Sequence, residues 1–100
     1  MTLNEIEKTA GTSDKPVVEK IYHTDGLKLI AIAMKSGVVL SEHKAPAKAK
    51  LVVIKGEIDF NTETDSIRLA APDSLDIPLD VTHSVRAFED ALFLLLLEQN

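Results

Sequence analysis

Residues 37–56 read GVVLSEHKAPAKAKLVVIKG, and the order of residue types in this stretch decides the fold. Ser36-Gly37 turns the chain into the apolar run Val38 to Leu40, Leu51 to Ile54 is a second short run, and Lys55-Gly56 turns the chain again. Short β-branched runs closed off by glycine turns read as strands, because branched side chains pack well on a pleated surface. His43 lies between the runs among Lys44, Lys48, Lys50 and Lys55. Those lysines read as a solvated edge that blocks edge-to-edge pairing, or as a field drawing anions toward a nearby cavity.

The same grammar continues in both directions. Upstream, Val17 to His23 and Leu27 to Met34 flank the tight Asp25-Gly26 turn. Downstream come Glu57 to Asn61, Ser66 to Ala70, a turn at Pro72-Asp73, Leu75 to Ile77, and a last pair, His83 to Phe88 and Ala91 to Leu97, around Glu89-Asp90. Eight or nine short strands with frequent turns predict an all-β sandwich or barrel over residues 16–100. Residues 1–15 are polar with a weak apolar pattern and are expected to form a flexible N-terminal arm, with a helical period conceivable only from Asn4 to Ala10. Leu29 to Met34 and Ala91 to Leu97 are apolar on both faces, although one face of an antiparallel sheet ordinarily meets water. The simplest expectation from that pattern is a homodimer.

Composition removes several function classes. The 100 residues form one domain, and 45% hydrophobic with 27% charged residues excludes a disordered chain. There is no cysteine, so disulfide scaffolds, thiolate metal sites and cysteine nucleophiles are excluded. Net charge is −5, split as +3 over residues 1–56 and −8 over 57–100, and only four residues are aromatic. That balance argues against nucleic-acid and membrane-surface partners, which require a basic face. The longest apolar run, Ala91 to Leu97, has seven residues against the ~20 of a membrane span. The beginning, MTLNEIEKTAGTSDK, lacks the charged and apolar regions of a signal peptide, so a cytoplasmic location is expected. Ser41-Glu42-His43 and Asp80 to Ser84 hold triad residue types, but strand neighbours do not form a nucleophile–base pair, and no Gly-x-Ser-x-Gly elbow exists.

The histidine spacing carries a resemblance. Gly37, His43, Ala45, Ala49 and Gly56 reproduce the spacing of the first cupin motif, which normally reads Gly, His, His, Glu, Gly. Pro72, Pro78, Asp80, His83 and Ala87 follow the second, normally Gly, Pro, Gly, His, Asn. Gly37, His43, Gly56, Pro78 and His83 are kept, and the likeness covers about residues 27–97. The chain thus resembles a small single-domain cupin. This implies a double-stranded β-helix, the cupin jelly-roll barrel, usually dimeric and with one central cavity.

The resemblance also implies where a site would lie. Metal-binding cupins use three His and one Glu, whereas Ala45 and Ala49 stand at two of those four positions here. His43 and His83 remain as an incomplete pair, suited at most to weak zinc, nickel or another transition metal. By strand parity with His43 and Ala49, the inward positions are Ala45, Leu51, Val53, Val85 and Ala87. Glu42, Lys48 and Lys50 are expected to point outward, Glu42 unless a bulge intervenes. His23 is expected at an exposed strand end. The reading is a small-ligand-binding barrel of unknown ligand, with His43, Ala45, Leu51, Val53, His83 and Val85 as its lining. A metal-dependent dioxygenase, isomerase or decarboxylase with incomplete ligation, and a dimeric scaffold with a vestigial cavity, are the alternatives.

Overall fold

The two strands that are apolar on both faces lie side by side, and each face has its own cover. In a computed structural model that describes residues 2–44 and 47–98, except for the side chains of Glu42 and His43, a helix precedes nine strands. They are α1 (Leu3–Ala10), β1 (Val17–His23), β2 (Leu27–Met34), β3 (Val39–Lys44), β4 (Ala49–Lys55), β5 (Glu57–Thr62), β6 (Ser66–Ala70), β7 (Ser74–Ile77), β8 (Thr82–Ala87) and β9 (Ala91–Glu98). A five-stranded sheet has the order β1-β2-β9-β4-β7 and a four-stranded sheet the order β3-β8-β5-β6, with every pairing antiparallel.

Strand alternation sorts the side chains. Ile32 and Met34 of β2, with Ala91, Phe93 and Leu95 of β9, join Leu51, Val53, Ile58, Phe60 and Val85 in one interior cluster between the sheets. The alternate residues Ala31, Ala33 and Leu92 point outward and pack against Ile6 and Ala10 of α1. The arm expected over residues 1–15 is therefore a docked helix from Leu3 to Ala10, with Ile6 wholly buried. Thr2 caps it: its hydroxyl accepts from the Glu5 backbone N–H, and the Glu5 carboxylate accepts from the Thr2 backbone N–H. Eight residues are too few for a stable helix in water, so α1 owes its helicity to this seat. Glu7 also accepts from Lys55 Nζ at 3.0 Å, tying the helix to β4.

Three residues have a positive φ among those described: Gly37 (88°), Gly56 (79°) and Asp80 (57°). Gly56 has a second reason to be glycine, since a Cβ there would run into the carbonyl oxygen of Asp90. On the outer face of the four-stranded sheet, Arg68 donates from Nε to Asp59 at 2.7 Å and lies over the Phe88 ring at 3.7 Å. The Asp59 carboxylate holds that guanidinium's pKa above its usual value. No helix among the described residues is long and apolar enough to cross a membrane.

Candidate functional site

β8 lies between β3 and β5, and its alternate residues His83, Val85 and Ala87 face the interior. His83 is 2% exposed and is the only buried polar side chain among the described residues. Its Nδ1 lies 3.0 Å from the Val81 carbonyl oxygen. A carbonyl can only accept, so Nδ1 carries a proton and donates it to Val81. The ring stacks on Phe60, with centroids 5.1 Å apart and planes at 25°. An imidazole is thus fixed in orientation among the apolar side chains of the described interior.

The backbone register brings His43 to the same place. Its registered partner on β8 is His83, and His83 is in turn registered with Thr62 of β5. A bulge makes this possible: between Leu40, paired with Val85, and His43, paired with His83, β3 holds one residue more than β8. Leu40 packs on the interior cluster, and three residues of β3 from Leu40 to His43 span two of β8 from Val85 to His83. The side chains of His43 and Glu42 lie outside the described residues, as does Ala45.

Leu51 and Val53 are wholly buried, Val85 is nearly so, and all three sit in one cluster with Phe60 and Phe93. Ala49, also buried, follows them at the end of β4, registered with Ile77 and Leu97. At the His83 end of the barrel, a solvent-open depression of about 320 Å³ is lined by Lys44, Thr62, Asp80, Val81 and Thr82, among others. His23 is exposed at the end of β1 in the other sheet, as expected, and does not join His83.

The donors that could hold a metal can now be weighed. No group of three or more His, Cys, Asp or Glu side chains is placed to do so among the described residues. Ala49 offers only a methyl group, and Ala45 offers the same chemistry. Two imidazoles would leave most of the coordination shell to water, which an apolar interior accommodates poorly. The described residues therefore supply no set of three donors such as a catalytic metal site ordinarily keeps.

All three left-handed backbone positions fall on sites picked out by the motif spacing. Asp80 occupies the place of a motif glycine and retains the φ that a glycine would supply, as aspartate can. A cupin superfamily protein from Desulfitobacterium hafniense matches the structure with TM-score 0.79 at 15% identity, over 85% of this chain and 78% of that one. An RmlC-like cupin protein from Desulfovibrio desulfuricans matches with TM-score 0.77 at 24% identity, over 84% of this chain and 82% of that one. The chain has the cupin fold. KdgF from Halomonas sp. has the same barrel, with TM-score 0.78 at 21% identity, over 89% of this chain and 83% of that one. No family model matches the chain, and no curated protein is similar to it in sequence.

Within this cupin barrel, the sequence singled out His83 but missed its two neighbours, Phe60 and Thr62. The alternation Ile58, Phe60, Thr62 marks all three as one face of β5. Only the pairing of β5 with β8 shows that this face meets the histidine.

Proposed function

We propose that this cupin barrel binds a small molecule at its His83 end, as a binding or sensing module that holds no resident metal. The observation that carries the reading is the buried imidazole of His83, held by Val81 and Phe60 at the end of the barrel where a solvent-open depression lies. Desolvating a polar side chain costs stability, so one kept in an apolar interior points to a role beyond packing. An imidazole in an apolar setting suits a small molecule that carries one polar group on an apolar body, as a phenol or a small acid does. Phe60 and Val85 suit such a body, and the depression lined by Thr62 and Thr82 is the side from which the proposed ligand would approach.

A thermal-shift series with small phenols and acids tests this. A ligand at a hundred times its Kd adds about 2.7 kcal/mol to the folded state, which moves Tm by about 10 °C or more for a domain of this size. The ligand is expected to shift the His83 ring resonances and to lose affinity in His83→Leu. Either no stabilising phenol or acid at millimolar concentration, or equal affinity in His83→Leu, overturns the reading.

A further inference from the structure

β8 begins beside His83 and ends at Ala87, so the turn into β9 that carries Asp90 lies at the end of the barrel away from the histidine. There the last turn of α1, the ends of β2 and β4 and the start of β9 enclose a hollow of about 140 Å³. Part of its wall is apolar and buried: Ala33, Met34 and Ala91. The rest carries Glu7, Lys35, Lys55 and Asp90, two charges of each sign. These charges are unequally committed. Lys55 donates to both carboxylate oxygens of Glu7, at 3.0 and 3.3 Å. Lys35 meets Asp14, whose side chain is 96% exposed, and an ion pair so open to water adds little. Asp90 is held from two sides: Oδ1 accepts from the Ser36 backbone N–H at 2.8 Å, and its carbonyl oxygen rests against Gly56, where no Cβ would fit. Its Oδ2 is left for another donor.

We propose that this hollow binds a small zwitterion, an α-amino acid with at most a short side chain, and that the bound molecule clamps α1 to the barrel. The ligand carboxylate pairs with Lys35 and its ammonium with Asp90, while Ala33, Met34 and Ala91 take the carbon body. A balanced set of charges selects a zwitterion: a lone carboxylate would leave Asp90 facing a second anion, and a lone amine would leave Lys35 facing a second cation. At ~30 Å³ per water the hollow has room for about four or five waters, close to the size of glycine or alanine. Glu7 and Gly11 are among its walls, so it is complete only while α1 is docked. A ligand of the docked state suppresses undocking by one plus the ratio of its concentration to Kd. So small a ligand at a rim of part-exposed charges is expected to bind at millimolar concentration. This inference does not rest on ligand binding at His83.

Amide NMR titrations with glycine and L-alanine to about 100 mM, at fixed ionic strength and beside sodium acetate and methylammonium chloride, test the site. The amino acids should shift residues 7–11, 33–35, 55 and 90–91, and either single-charge probe should bind at least about tenfold more weakly. Lys35→Met and Asp90→Asn should each cost at least about tenfold in affinity. Asn keeps an oxygen for the Ser36 N–H, and Lys35 is part-exposed, so both variants should retain the dispersed spectrum of the parent. At ten times Kd, the Ile6 and Gly11 amides, which donate to the Thr2 and Glu7 carbonyls, should exchange about elevenfold more slowly. The proposal is overturned if neither amino acid shifts these residues, or if the shifts centre on His83 instead. Acetate or methylammonium binding as well as the amino acids, folded variants of unchanged affinity, or α1 exchange untouched by a bound amino acid would each overturn it too.

Discussion

Replacing His83 by leucine separates a histidine kept for packing from one kept for binding. The substitution removes the hydrogen bond to Val81, worth about 1 kcal/mol net, and the stack on Phe60, worth about 0.5–1.5 kcal/mol. Val81 is 38% exposed, so its carbonyl has water nearby to replace the imidazole. Against these losses, a leucine in a 2% exposed site contributes about 1.5–3 kcal/mol of apolar burial without having to desolvate an imidazole. The opposing contributions nearly cancel, leaving His83→Leu within about 1 kcal/mol of the parent. For a domain of 100 residues that is a Tm shift of no more than about 4–8 °C in either direction. Urea unfolding with the m-value held common gives the number directly. A destabilisation beyond about 3 kcal/mol would refute the reasoning, because it would make the imidazole a structural post.

Three further expectations follow from other parts of the molecule. Asp80→Gly should raise stability by about 0.5–1 kcal/mol in the same urea assay, since glycine adopts a φ of 57° without the Cβ penalty. The capping box should give α1 a pH dependence of its own: Thr2 hydrogen bonds hold the Glu5 carboxyl below its usual 4.5, so the stabilisation is complete above about pH 4.5 and is lost as pH falls through the lowered value. NMR signals of residues 3–10 should then lose dispersion in acid before those of the barrel, and Glu5→Gln should remove that pH dependence. Finally, Ala45→His with Ala49→Glu should convert weak, substoichiometric nickel or zinc binding into tight one-to-one binding, measured by metal analysis after dialysis, whereas a pair of substitutions that binds nothing would count against the motif alignment.

Much of the barrel could be read from residue order because its determinants are local. Period-two runs and glycine turns gave the strands, and the motif spacing located the left-handed positions Gly37, Gly56 and Asp80. The resemblance carried by that spacing implied an inward place for His83, which is buried. The two-faced apolar character of β2 and β9 was also visible, but its cause was not: Ala31, Ala33 and Leu92 meet α1 rather than another subunit. The signal for that helix was present as Thr2-x-x-Glu5 ahead of Ile6, yet three apolar residues in eight, one of them alanine, are too few to outweigh a polar composition. The bulge after Leu40 has no sequence marker, since it arises from how β3 settles against β8. Without it, parity counting along β3 goes astray by one residue. The contacts of His83 with Phe60 and Thr62 depend on pairing between β5 and β8, which no single strand encodes.

The position of β9 has a consequence for biosynthesis. It is the last strand in chain order and the middle strand of its sheet, with β2 on one side and β4 on the other. As the chain emerges from the ribosome, the β1–β2 hairpin and the β4–β7 pair wait with open edges for a strand not yet made. Neither half can close its side of the barrel core until Phe93 and Leu95 arrive. The five-stranded sheet therefore forms only once β9 has been made. In that interval the bare edges of β2 and β4 are the places where a nascent chain would meet a chaperone or another copy of itself.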